Sequence, residues 1–159
     1  MIKSEYQKMF SEEQSHWFFR TKRMFIESFL NKVPLAPNIQ ILEPGCGTGA
    51  NRIFLEKYGF VTSLDFSQDA LDFCKKREIK RLIRGDLNQL GLKSETFDFA
   101  FLLDVLYHQW VKDNIYTFSE ILWILKPGGK LLITDSAFPF LLSSHDKTVM
   151  MRERYTITS

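Results

Sequence analysis

From residue 38 onward, short apolar runs alternate with stretches of helical spacing, the pattern left by βαβ units and a parallel sheet. Ile39-Gln40-Ile41-Leu42 reads as a first strand ending at Glu43-Pro44-Gly45, and Thr48 to Lys57 as a helix closed by Tyr58-Gly59. Val61 to Leu64 is a second strand. Ser67 then caps a helix carrying Ala70, Leu71, Phe73 and Cys74. Lys80 to Arg84 is a short third strand before Gly85-Asp86, and the very apolar Phe97 to Leu103 is the natural centre of the sheet. The spacing of Ile115, Phe118, Ile121, Leu122 and Leu125 predicts a helix over Asp113 to Leu125. Lys126-Pro127-Gly128-Gly129 stops that helix and leads into a fifth strand, Lys130 to Thr134. Ahead of the sheet, Ser11 to Lys32 reads as helical, with Phe18, Phe25, Ile26, Phe29 and Leu30 on one face. Behind it, Phe138 to His145 reads as a loop, and Arg152 to Ser159 as the start of a helix capped by Thr158 or Ser159.

These elements divide 159 residues into one domain: a helical segment over 1–37, a core over 38–135 and a tail over 136–159. The expected fold class is α/β, a Rossmann-like, doubly wound, mostly parallel sheet preceded by helices. A net charge of +2, with acids and bases interspersed, gives no reason to expect nucleic acid or an anionic membrane as partner. No stretch approaches the ~20 apolar residues that span a bilayer, and Met1-Ile2-Lys3-Ser4-Glu5 does not open a signal peptide. Cys46 and Cys74 make neither a disulfide framework nor part of a metal-ligand cluster, so no metal is expected. The reading is a reduced, cytoplasmic protein.

The sharpest local signal is Glu43-Pro44-Gly45-Cys46-Gly47-Thr48-Gly49-Ala50, between a strand and a helix. Glycines permit positive φ and leave no Cβ against a ligand lying on the backbone. Open α/β sheets bind ligands at this place, the carboxyl ends of parallel strands. The loop alone does not name the ligand: Gly45, Gly47 and Ala50 also satisfy the dinucleotide fingerprint, which leaves an NAD-dependent oxidoreductase open. Asp65, at the end of the second strand, would accept ribose hydroxyls in either case.

The rest of the chain bears on the choice. Glu43-x-Gly45-x-Gly47-x-Gly49 resembles the first motif of class I S-adenosylmethionine-dependent methyltransferases, and Asp65-Phe66-Ser67 their second-strand acid. Gly85-Asp86-Leu87 resembles their adenine-contacting turn, and Asp104-Val105-Leu106-Tyr107-His108 their fourth-strand motif. Leu125 to Gly129 looks like the turn before their fifth strand, and Glu13-x-x-His16-Trp17-Phe18-Phe19-Arg20 is similar to a segment that often opens small-molecule members. The resemblance runs in order from Glu13 to Asp135. It implies strand order 3-2-1-4-5, S-adenosylmethionine as cofactor, S-adenosylhomocysteine as product and a small organic molecule as acceptor.

The same resemblance implies a role for each residue. Glu43, Gly45, Cys46 and Gly47 would border the methionyl part, and Asp65 would take both ribose hydroxyls. Asp86 would accept from the adenine amine, beside Leu87 and Phe66, although an Asp after Gly85 also suits a plain turn. Asp104 would floor the methionine pocket. Arg23 would meet the cofactor carboxylate or, as an alternative, pair on the helix with Glu27. Trp17 and Phe18 would roof the site or join the core. His108 is the one residue placed to act as a general base, with a capping role as its alternative.

Family members usually continue past the fifth strand through a helix and an antiparallel strand pair, and this chain departs from that pattern. The departure keeps open a cofactor-binding but inactive module, or a truncated fragment. It also leaves Leu131-Leu132-Ile133-Thr134 at an edge, which predicts cover by a second copy in a homodimer or by the 138–159 tail folding back.

Overall fold

The computed structural model describes residues 1–141 and 144–156. The side chains of Ser144 and His145 lie outside the description, as do Thr158 and Ser159, the caps expected for a last helix. Five strands form the sheet: β1 Ile39–Pro44, β2 Gly59–Asp65, β3 Leu82–Arg84, β4 Phe97–Leu103 and β5 Leu125–Thr134. Their order is β3-β2-β1-β4-β5, with every neighbouring pair parallel. The order reverses between β1 and β4, so the crevice for a ligand opens over the carboxyl ends of those two strands.

Both faces of the sheet are covered, as parallel strands require. On one, Leu42, Leu64, Ala100 and Leu102 pack with Ile121 and Ile124 of α5 (Asn114–Ile124). On the other, Ile41, Val61, Phe99 and Phe101 meet Phe54 and Leu55 of α3 (Ala50–Leu55) and Ile26 and Leu30 of α2 (Trp17–Leu30). Phe99 and Phe101 lie two apart on β4, and their rings stack at 4.4 Å between centroids. α4 (Gln68–Lys76) begins at Ser67, whose hydroxyl accepts the Ala70 N–H.

Several sequence expectations change. The single helical region over Ser11 to Lys32 is two helices, α1 (Lys3–Glu12) and α2, because Glu13 turns inward and His16 starts the second by accepting the Phe18 N–H on Nδ1. α1 packs Tyr6 against Ala70 and Phe73 of α4. The five-residue apolar face assigned to α2 is also narrower: Ile26 and Leu30 are buried, whereas Phe18, Phe25 and Phe29 are exposed. Each residue turns a helix by about 100°, and only the 26/30 stripe meets the sheet. In α5 the buried residues are Thr117, Ile121 and Ile124, while Ile115 is 80% exposed. Lys126 to Gly129 does not precede β5 but bulges from it: Phe97 pairs with Leu125, and Phe99 pairs with Lys130.

The tail is more than a plain loop, and the helix start expected at Thr158 or Ser159 lies outside the described residues. Pro139–Leu141 forms a 3₁₀ turn and Ser144–Thr148 a short helix, α6, and residues 149–156 then run back across the end of the sheet. Ala137 bridges Tyr155, and His108 bridges Met151. The tail therefore folds over the strand ends rather than along the edge of β5. Among the described residues, 131–134 pair with β4 alone, and the part of the expected tail cover that falls on 142–143 and 157–159 lies outside them.

Candidate functional site

A cavity of about 1020 Å³ lies over the carboxyl ends of the strands, at the upper end of the range for a single small ligand. Its floor is the glycine loop. Gly45 and Cys46 donate their N–H groups to the Leu64 carbonyl at 2.7 and 3.0 Å, which folds the loop back over β2. Gly45 has φ +74°, and a Cβ there would stand 2.6 Å from a Val105 methyl, so the position takes no side chain. Asp65 holds the loop from below: Oδ2 accepts Gly47 N–H and Oδ1 accepts Ser67 N–H, both at 2.9 Å. Burial raises its pKa, and those amides oppose the shift.

At the β3 end, Asp86 is exposed and lines the cavity. Its Oδ1 accepts both the backbone N–H and the side-chain amide of Asn88. Leu87 is buried beside it, and Phe66 and Trp110 face each other across the wall with ring centroids 5.1 Å apart.

At the β4–β5 end, Asp104 sits at φ +59°, in the left-handed region that Asp tolerates better than most residues. Its carboxylate pairs with Lys22 of α2, and burial lowers the Lys22 pKa to about 8. Asp135, just past β5, accepts Ser136 N–H at 2.8 Å. Arg154 and Asp146 of the tail complete that wall in a bidentate pair at 2.7–3.1 Å.

Three candidates stand elsewhere than the sequence suggested. Glu43 does not line the cavity among the described residues. It is fully buried, with Oε2 accepting the Ser63 hydroxyl at 3.0 Å while Oε1 has no hydrogen-bond partner among the described residues, and burial pushes its pKa up to about 8. Packed beside Ser63 of β2, it is a buried prop under the loop. Arg23 is not on the cavity either, and it does not pair with Glu27, which meets Lys57. It donates Nη2 to the Glu13 carbonyl at 2.6 Å and so ties α2 to the end of α1. His108 does line the cavity, but its Nδ1 donates to the Val149 carbonyl at 2.9 Å, and its ring stacks on Trp110. Burial lowers its pKa to about 4, so it is a poor base near neutral pH, and its evident work is to pin the tail.

Sequence reading also passed over several residues the structure brings to this cavity. Lys22, Tyr107, Trp110, Asp135 and Arg154 all line it, and α1 contributes Tyr6 and Met9, whose Cε lies over Gly47. Asp135 follows a strand end directly and was legible by that rule; the others depend on how helices and tail lie over the sheet. Cys46 lines the cavity with its Sγ 3.9 Å from that of Cys74, which in turn donates to the Gly47 carbonyl. The roof depends on a buried cluster in which the Glu13 carboxylate takes Arg77 at 2.6 Å and the Thr48 hydroxyl.

Residues 42–133, more than half of the chain, match the family model described as "Methyltransferase domain". The chain belongs to the class I S-adenosylmethionine-dependent methyltransferases. This methyltransferase domain is 32% identical over 116 residues to a phosphoethanolamine N-methyltransferase from Zea mays, covering 69% of this chain and 23% of that one. It is also 32% identical over 103 residues to a malonyl-acyl carrier protein O-methyltransferase from Serratia marcescens, covering 64% of this chain and 40% of that one. The domain thus spans well under half the length of either relative. Among solved structures, the phosphoethanolamine N-methyltransferase 2 of Haemonchus contortus, in complex with S-adenosyl-L-methionine, shares the fold. Its TM-score is 0.69 at 24% identity, covering 87% of this chain and 34% of that one. No helix among the described residues is long and apolar enough to cross a membrane.

Proposed function

We propose that this single domain binds S-adenosylmethionine across the glycine loop and transfers its methyl group to a small organic acceptor at the β4–β5 end of the same cavity. The observation that carries this reading is the continuity of one cavity from Asp86 and Asp65, past Gly45 and Gly47, to Asp104 and Asp135. The residues present fit the cofactor. Each Asp65 oxygen retains a lone pair for a ribose hydroxyl, and Asp86 Oδ2, which accepts no hydrogen bond among the described residues, would suit the adenine amine. Phe66, Leu87 and Trp110 supply apolar walls for a base, and Lys22 with Asp104 matches the carboxylate and amino group of a methionyl end.

When bound, the sulfonium supplies an electrophilic methyl group without a metal. The protein's own task is then to align the acceptor with that methyl and keep water out, which the roof of α1, α2 and tail is positioned to do. Relatives act on chemically unlike molecules, as their names for phosphoethanolamine and malonyl-acyl carrier protein say, so the acceptor is chosen by the β4–β5 wall. A cytoplasmic setting, and a homodimer through the edge of β5, complete the reading.

Calorimetry with S-adenosylmethionine, S-adenosylhomocysteine and NAD tests it. Binding of the first two and none of NAD is expected, and NAD binding alone would overturn it. Release of S-adenosylhomocysteine in the presence of an acceptor separates turnover from mere cofactor binding.

A further inference from the structure

Asp86 is an exposed carboxylate at the β3 end of the cavity, and such a group turns freely about its last bond unless something holds it. The backbone holds it in part. The Asn88 N–H donates to Asp86 Oδ1 at 2.8 Å, and the Gln89 N–H donates to the Asp86 carbonyl at 3.0 Å, which closes the turn after β3. That turn needs no particular side chain at position 88. The Asn88 side chain nevertheless makes three further bonds. Its Nδ2 donates to the same Asp86 Oδ1 at 2.7 Å and to the Trp110 carbonyl at 2.8 Å, and its Oδ1 accepts the Lys112 N–H at 3.0 Å. Asn88 itself is half-buried and does not line the cavity among the described residues.

We propose that Asn88 is a positioning residue for the cofactor's base: it fixes the Asp86 carboxylate with Oδ2 as the oxygen left to a ligand, and so sets the preference of the site for a 6-amino over a 6-oxo purine. The inference rests on the cofactor reading above, in which Asp86 accepts from the adenine amine. Both hydrogens of the Asn88 amide are in use, one on Asp86 and one on Trp110, so the amide cannot turn without losing both bonds. Its far end is anchored on the segment between β4 and α5. There the Trp110 ring packs on Phe66 and on His108, with centroids 5.1 and 4.2 Å away.

Asp86 Oδ1 already accepts two N–H groups from Asn88, whereas Oδ2 accepts none among the described residues. A fixed carboxylate oxygen suits an amino group, which brings a donor. A 6-oxo group brings a second acceptor to the same place, and the carboxylate then loses a hydrogen bond it could have made to water. A carboxylate free to turn would swing away from the oxo group at little cost and would discriminate less. Asn88 thus acts on the base through Asp86, without touching the cofactor.

The test compares S-adenosylhomocysteine with its 6-oxo counterpart, S-inosylhomocysteine, by calorimetry on wild type, Asn88→Ala, Asn88→Asp and Asp86→Ala, with urea midpoints to show that each is folded. Asn88→Asp keeps the turn and the acceptor for Lys112 but puts an oxygen where the Nδ2 donor stood, and it serves alone should Asn88→Ala fail to fold. Wild type should bind the amino compound about tenfold more tightly than the oxo compound. Each Asn88 variant should weaken the amino compound by about tenfold and change the oxo compound by less than about threefold, so that the preference is lost. In an Asp86→Ala background, Asn88→Ala should cost less than about threefold more, because a residue that acts through Asp86 then has nothing to position. A loss shared equally by the two compounds would make Asn88 a staple of the turn and overturn the inference with cofactor binding intact. Wild type that binds both compounds alike would overturn it too, by removing Asp86 from the base. Wild type that binds neither overturns the cofactor reading and this inference with it.

Discussion

Each oxygen of the Asp65 carboxylate already accepts one backbone N–H, from Gly47 and from Ser67, and each keeps a lone pair. The residue therefore shapes the loop and offers two more acceptors to whatever lies on it. Asp65→Ala should cost ~2–3 kcal/mol of S-adenosylhomocysteine binding, or about thirty- to a hundredfold in affinity, measured by calorimetry on protein that stays folded. Unchanged affinity would exclude Asp65 from the cofactor site. Glu43 makes a different prediction. Its pKa in the fold, about 8, lies above the usual carboxylate value, so the folded chain keeps a proton that the unfolded chain gives up. That contribution is whole below the unfolded pKa and is lost as pH rises through the folded one. Between about pH 5 and pH 9 the urea midpoint should fall with rising pH, and Glu43→Gln should flatten the decline; equal slopes would contradict it. Both residues stood out in the sequence for the same reason, an acid at a strand end beside glycines. The two-residue period of a strand puts Glu43 on the same face as Gly45, so periodicity could not have turned it from the cavity; its burial beside Ser63 comes from packing.

Elements differ in how plainly a sequence declares them. β4 was legible to the residue, since seven successive mostly apolar positions suit a strand covered on both faces. α2 was legible as a helix and misread as a surface, because two aromatic-rich stripes lie side by side and periodicity cannot say which meets the sheet. Leu30 is 1% exposed among Ile26, Ile39 and Leu55, whereas Phe25 is 73% exposed on the next stripe. Leu30→Ala should lower unfolding stability by ~2–5 kcal/mol, and Phe25→Ser should stay within about 0.5 kcal/mol. Denaturant midpoints check both, and a large loss at Phe25 would mean that its face is covered in solution. Arg23 and Lys22, one residue apart, show the same limit. Only the packing of α2 sends Lys22 to the cavity and Arg23 to the end of α1.

At the scale of the molecule, the sheet order was legible from the alternation of elements and from motif order, but the roof was not. α1 and the returning tail are held by long-range pairs such as Glu13 with Arg77 and Tyr107 with Arg152, and sequence spacing carries no trace of these. The edge of β5, unpaired among the described residues, is a template for pairing, with Ile133 exposed in its middle. Sedimentation should show a dimer that Ile133→Lys dissociates without loss of cofactor binding; a wild-type monomer would end that proposal. The roof has a further consequence. Segments 1–30 and, from the tail, 136–141 with 144–156 are drawn from opposite sides of the sheet in the chain, yet they close over one cavity. A ligand held between them should quieten both at once while leaving the sheet as it was. Arg20, Lys147 and Arg152 offer tryptic bonds in those two segments, so S-adenosylhomocysteine should slow cleavage at both, in step, and along a single saturation curve. Protection of one segment alone would mean that the two halves of the roof open independently.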